Sequence, residues 1–185
     1  MKEIQFYNDI YSRQSNASRK RRILFYKELA RHILPTDEVL DLGCGNGLLA
    51  LHSQWRHYTG MDFSDVAIAQ ARKICPKGHF IPMEINEKTI FNIMNNRVHF
   101  DIVVMTEFLE HIENDIEVLK AIARQKRILI SVPANEKEKN GLPIGYPTHK
   151  RIYNEEVIKR RYNFIKFDNI YNFQNWFIAT GIKVL

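Results

Sequence analysis

The stretch VLDLGCGNG, residues 39–47, sets Asp41 two positions ahead of a turn that carries Gly43, Gly45 and Gly47, three of the chain's eight glycines. Glycine lets a ligand approach the backbone closely, and a turn that leaves a strand and opens a helix aims main-chain N–H groups into the crevice beyond the strand ends. Such a cluster predicts a bound ligand; the competing reading is a tight turn and nothing more. Two ligands fit the residues differently. GNGLLA, residues 45–50, matches the dinucleotide pattern GxGxxA, and Asp62 lies at about the distance of a ribose-binding acid. Asp41, however, offers a carboxylate where a cationic or ammonium-bearing ligand suits better than a pyrophosphate, and no second domain is in view to supply a hydride-acceptor site.

The elements around the turn must place it at the end of a strand. Short apolar runs of strand type occur at 38–42, 58–62, 79–83, 100–105 and 127–132. Between them lie helix-like segments at about 47–55, 64–74, 87–95 and 113–125, with Ser64 and Asn114 as caps. An earlier helix spans 18–33, capped by Ser18, with Ile23, Tyr26, Lys27, Ala30 and Ile33 at three-to-four spacing and Pro35 closing it. Strands alternating with helices predict an α/β fold with a doubly wound, mostly parallel sheet and helices on both faces. Residues 133–148 hold three of the six prolines, two glycines and the run NEKEKN, which predicts a long polar loop, functional or mobile. A short helix at about 154–162 and two aromatic-rich runs, NFIKFDNIYNF and NWFIATGIKVL, then read as a closing antiparallel pair. No repeat or linker marks a boundary, so residues 1–185 are expected to form one domain.

Composition narrows the function classes. Apolar residues make up 45% and charged residues 26%, ordinary for a globular chain. The net charge of +6 concentrates in RKRR at 19–22, HKR at 149–151 and KRR at 159–161. That balance suits an anionic small molecule or, less directly, nucleic acid, and in its plainest form is a solvated face. Two cysteines, no charged-then-apolar leader and no apolar run near 18 residues predict a cytoplasmic protein with no membrane partner.

VLDLGCGNG followed by GMDFSDVAI at 60–68 and FDIVVMTEFLEHI at 100–112 resembles the class I S-adenosylmethionine-dependent methyltransferases, with the three motifs in that family's order. The resemblance runs from about residue 20 to 185 and implies a Rossmann-like, seven-stranded sheet whose last strand is antiparallel. It implies S-adenosylmethionine as cofactor, with Asp41 and the backbone of Gly43 and Gly45 at its methionine end. Asp62 would take both ribose hydroxyls, Phe63 would pack on adenine, and Glu84 with Ile85 would stand near the adenine amino group, where the family more often has an Asp. Thr106 and Glu107 belong to the same cofactor site, as does Cys44, whose thiol is read as packing without chemistry.

The resemblance further implies methyl transfer to a small-molecule acceptor, most simply the hydroxyl of a polar or anionic metabolite or glycan intermediate. If residues 107–111 formed a first helical turn, Glu107 would share a face with Glu110 and His111. His111 is then the candidate general base, with an unperturbed pKa near 6.5, and His149 on the covering loop is the second candidate catalytic residue. Glu107, Glu110, His111 and His149 also match in type and order the metal site of the small-RNA 3′-terminal 2′-O-methyltransferases; two carboxylates and two imidazoles would suit Mn²⁺. The expectation adopted is no metal, with the RNA enzyme as first alternative and a non-catalytic cofactor-binding subunit as second. The histidines at 32, 52, 57, 79 and 99 have no partner pattern.

Overall fold

The computed structural model describes residues 16–96, 99–134, 138–139, 142–143 and 148–185. The chain divides into two compact units, one running to Ile85 and the other from Asn86 to Leu185.

The first unit holds α1 (Asn16–Ala30), β1 (Glu38–Leu42), α2 (Leu48–His52), β2 (His57–Asp62), α3 (Asp65–Ile74) and β3 (His79–Pro82). Its strands pair in parallel in the order β3-β2-β1, with Asp41 opposite Gly60 and Asp62 opposite Pro82. Helix α1 begins two residues before Ser18, so Ser18 is not its cap. Its buried residues Phe25 and Leu29 each stand one position before the predicted Tyr26 and Ala30, whereas the predicted Ile33 is buried just beyond the helix end. The segment Arg31–Ile33 continues only as tight turns, each N–H bonding three residues back. Helix α2 is half the predicted length. Helix α3 starts as expected, with the Ser64 Oγ accepting from the Ala67 N–H.

The second unit holds α4 (Glu87–Asn95), β4 (Ile102–Thr106), α5 (Asp115–Ala121), β5 (Arg127–Pro133), the two-residue strands β6 (Glu138–Lys139) and β7 (Leu142–Pro143), α6 (Glu155–Arg161), β8 (Ile165–Phe173) and β9 (Trp176–Lys183). Strand β4 runs parallel to β5, and β9 is antiparallel to both β5 and β8. The hydrogen-bonded order over the chain is β3-β2-β1-β4-β5-β9-β8, the seven-stranded, mostly parallel arrangement with an antiparallel last strand that the sequence predicts. Asn114 precedes α5 without capping it, donating instead from Nδ2 to Glu87 Oε2 at 2.9 Å, and α5 ends four residues early. Of the predicted covering loop, 135–137, 140–141 and 144–147 lie outside the described residues; what is described contains the β6–β7 ribbon, which polar composition alone did not reveal.

Candidate active site

Residues of the first unit build an anionic corner at the ends of β1 and β2. Asp41 is fully buried, and the Tyr58 hydroxyl donates to its Oδ2. Burial pushes the Asp41 carboxyl up to about 7, against the Tyr58 hydrogen bond, which pulls it down; the nearby Asp62 adds a smaller upward push. Its other oxygen, Oδ1, is buried and has no hydrogen-bond partner among the described residues. A buried carboxylate oxygen with nothing to accept is costly unless a ligand donor reaches it.

The glycine turn is left-handed at Gly43 (φ 76°), Gly45 (φ 52°) and Gly47 (φ 76°). At Gly47 a Cβ would also lie 2.9 Å from that of Ala71, so the turn and α3 close on each other. The amides do not all point outward, as the sequence suggested. Those of Gly43 and Cys44 both bond the Met61 carbonyl, and that of Gly45 donates to Asp62 Oδ2 at 2.9 Å. The turn therefore grips β2 instead of presenting a row of donors, which disfavours a pyrophosphate. Asp62 is held from the other side by the Ser64 N–H on Oδ1, also at 2.9 Å. Each of its oxygens keeps one lone pair, and two acceptors side by side suit a vicinal pair of ribose hydroxyls. Burial raises the Asp62 carboxyl, and these two backbone donors lower it.

Cys44 is buried, with its thiol pushed well up by burial and then by the Asp41 and Asp62 charges. Its sulfur lies 2.9 Å from where a Gly60 Cβ would be, a packing role. Phe63 is half-buried beyond Asp62, Ile85 is buried, and Glu84 is exposed.

In the second unit the chain leaves β4 at the buried Thr106 and turns sharply at Glu107, whose φ of 52° is left-handed. No helix forms over 107–111: the Glu107 N–H bonds the Ser131 carbonyl at 3.0 Å, and the His111 N–H bonds that of Phe108 at 3.1 Å, closing a single turn. The predicted shared face is thereby broken. The Glu107 Oε1 accepts from the Trp176 indole N–H, whereas Glu110 is fully buried with its Oε1 4.0 Å from His111 Nε2. The His111 and His149 rings meet edge to face at 4.7 Å between centroids. One oxygen of Glu110 and one ring nitrogen each of His111 and His149 lie within 4.8 Å of one another; Glu107 is not of this group.

Burial first, then His149 and Lys150, depress the His111 pKa to about 4, against a hydrogen bond to the Thr148 backbone. His111 is neutral at pH 7, so its contact with Glu110 is not an ion pair there. The segment bearing His149 is tied down by its neighbours. The Lys150 N–H donates to the Glu110 carbonyl at 2.7 Å, and the Arg151 guanidinium donates to the carbonyls of Leu109 at 2.5 Å and Glu113 at 3.2 Å. Arg151 also approaches the buried Asp115, at 3.3 Å, which takes a bidentate pair from Arg161 and the Tyr162 hydroxyl, all at 2.6 Å. Tyr58, Arg151, Asp115 and Trp176 escaped the sequence reading, because each acts through a partner 17 to 69 positions away.

A family model described as a methyltransferase domain matches residues 7–185. A ubiquinone biosynthesis O-methyltransferase of Hahella chejuensis is 30% identical over 97 residues, which make up 51% of this chain and 40% of that protein. The chain thus matches about two fifths of the length of such curated relatives. Among solved structures, a DhpI complex with S-adenosylhomocysteine superposes with a TM-score of 0.69 at 14% identity, covering 98% of this chain and 95% of that one. Magnesium protoporphyrin IX methyltransferase of Synechocystis PCC 6803 does so with a TM-score of 0.61 at 15% identity, covering 92% and 89%. These likenesses show the fold, and the family model spans nearly the whole sequence: the chain belongs to the methyltransferase-domain family, among the class I S-adenosylmethionine-dependent methyltransferases.

Proposed function

We propose that the chain methylates a hydroxyl oxygen of a small polar or anionic acceptor. The observation that carries this reading is His111, a neutral imidazole on the tight turn after β4, set beside the buried Glu110 and the His149 ring. Bound S-adenosylmethionine supplies an electrophilic methyl group on a sulfonium. In this reading Asp62 accepts from the two ribose hydroxyls, and Asp41 Oδ1 accepts from the methionine ammonium. Phe63, Glu84 and Ile85 flank the adenine, while Thr106 and Glu107 complete the cofactor's surroundings, with Trp176 fixing the Glu107 carboxylate.

A His111 ring nitrogen takes the proton of the acceptor hydroxyl. Its low basicity makes this transfer late, because the oxygen's proton becomes strongly acidic only as the new O–C bond forms. The Glu110 carboxylate then stabilises the imidazolium. His149, held beside His111 by the bonds of Lys150 and Arg151 to the turn, contacts the acceptor and contributes binding. The net charge of +6 favours an anionic acceptor, and the name of the Hahella relative supports oxygen as the accepting atom. Among the described residues no helix is long and apolar enough to cross a membrane, and both cysteines are free and buried, which supports a cytoplasmic setting.

The test is a pair of substitutions. His111→Ala should lower kcat by roughly a hundredfold or more with cofactor affinity nearly intact, whereas His149→Ala should mainly raise the acceptor KM. The reverse pattern would exchange their roles.

A second reading is favoured by the convergence of Glu110, His111 and His149, whose donor atoms could hold a divalent cation such as Mn²⁺ that binds the acceptor oxygen. The four-ligand set of the RNA-end enzymes gains no support, since Glu107 is turned to Trp176. Under the first reading EDTA leaves activity intact. Complete loss restored by Mn²⁺ would establish the second.

A further inference from the structure

We infer that Tyr58 is a positioning residue of the cofactor site: its phenol holds one oxygen of Asp41 so that the other alone faces the cofactor's ammonium group. This rests on the reading of Asp41 as the ammonium partner. In the parallel register Tyr58 stands opposite Val39 and Gly60 opposite Asp41, so Tyr58, Gly60 and Asp41 share one face of the sheet. Tyr58 is thus one step back along β2, placed to reach forward past Gly60.

Gly60 leaves room for the groups packed around this pair. A Cβ there would lie 2.7 Å from a ring carbon of Phe80 and 2.9 Å from the Cys44 sulfur, so the space above it is already filled by the groups that wall in the phenol and the carboxylate. The Tyr58 ring is fixed on two sides, with centroids 5.5 Å from Trp55 and 6.1 Å from Phe80. Trp55 is in turn anchored by its indole N–H to the Ala50 carbonyl at 3.1 Å. A phenol held this way can donate in one direction only, and that direction is taken by Asp41 Oδ2.

The result is an asymmetric carboxylate. Both Tyr58 and Asp41 are buried, yet only one carboxylate oxygen has a partner among the described residues. Without the phenol the Asp41 side chain could rotate about its terminal torsion, which is broad and roughly two-fold, and offer either oxygen or neither in the required direction.

Three ligands measured by calorimetry at pH 8 test this. S-adenosylhomocysteine carries the ammonium group, 5′-methylthioadenosine lacks the whole amino-acid part, and NAD serves as a control for the dinucleotide reading. Tyr58→Phe keeps the ring and should weaken S-adenosylhomocysteine about tenfold, the scale of one hydrogen bond to a charged group, while changing 5′-methylthioadenosine by less than twofold. In an Asp41→Ala background the same substitution should cost less than twofold for either ligand. Equal weakening of both ligands by Tyr58→Phe would reduce Tyr58 to a packing residue and overturn the inference, as would no weakening of either. Should Asp41→Ala itself leave S-adenosylhomocysteine binding unchanged, the assignment of Asp41 to the ammonium would fall instead. Failure of the parent chain to bind S-adenosylhomocysteine, or preference for NAD, would sink the functional reading as a whole.

Discussion

Asp62→Asn is nearly isosteric and, by the geometry of the site, far from conservative. Both oxygens of Asp62 already accept a backbone N–H at 2.9 Å, from Ser64 on one side and Gly45 on the other. Asparagine has one oxygen and one NH₂, so in either orientation the NH₂ faces a buried N–H donor. One hydrogen bond is lost, and a buried donor is left opposed to another donor, a combination worth about 1–3 kcal/mol. That part falls on stability, because the clash exists before any ligand arrives. If Asp62 holds the ribose as proposed, binding suffers separately: one of the two ribose hydroxyls meets a donor where it needs an acceptor, and the negative charge is gone. We expect S-adenosylhomocysteine affinity to fall roughly 10- to 100-fold, about 1.4–2.7 kcal/mol. Titration calorimetry gives the affinity, and a urea midpoint on the same sample gives the stability. Affinity within twofold of the parent, with the protein folded, would remove Asp62 from the cofactor site and with it the account of why the turn grips that carboxylate.

Two further predictions follow from the titrating groups and the buried network. Burial pushes the Asp41 carboxyl up to about 7; if Asp41 accepts from the cofactor's ammonium group, which needs the anion, S-adenosylhomocysteine affinity should be full above pH 8 and fall as pH drops through about 7, whereas kcat at saturating cofactor should hold until His111 protonates near pH 4. A calorimetric series with a pH–rate profile checks both, and coincident limbs near 6.5 would contradict the assignments. Asp115→Ala leaves two guanidinium groups and a phenol without their common acceptor and should destabilise the fold by roughly 3 kcal/mol, less what partly exposed Arg161 recovers from water, as read from denaturant unfolding; a change under about 0.5 kcal/mol would show that the network adds nothing.

The sheet was legible because its strands announce themselves by local pattern. EVLDL occupies residues 38–42 as predicted, and the strand at 127 extends only one residue beyond the expected run. Glycine spacing and Ser64 likewise act within a few residues, so the turn and the cap could be read directly. What failed was conformation decided by distant partners. A helical first turn over 107–111 would set Glu107 on one face with Glu110 and His111, but Glu107 takes a left-handed φ, its N–H on Ser131 and its carboxylate on Trp176. Asn114 has the right type for a cap, and Glu87, 27 residues away, claims its amide. For the same reason the sequence could name Asp41 but not Tyr58, since a phenol 17 positions off becomes a partner only once β1 and β2 lie in register.

In the proposed reaction this chain moves a methyl group from S-adenosylmethionine to oxygen. The direct measurement is to incubate the purified chain with S-adenosylmethionine labelled with carbon-13 at the transferred methyl and a panel of small acceptors bearing hydroxyl, amine or thiol groups, then to read the label by carbon-13 NMR. A methoxy resonance is expected with hydroxyl acceptors, stronger with anionic ones, and formed at least a hundredfold more slowly by His111→Ala. Label appearing only on nitrogen or sulfur, or a methoxy product formed by His111→Ala as fast as by the parent, would contradict it.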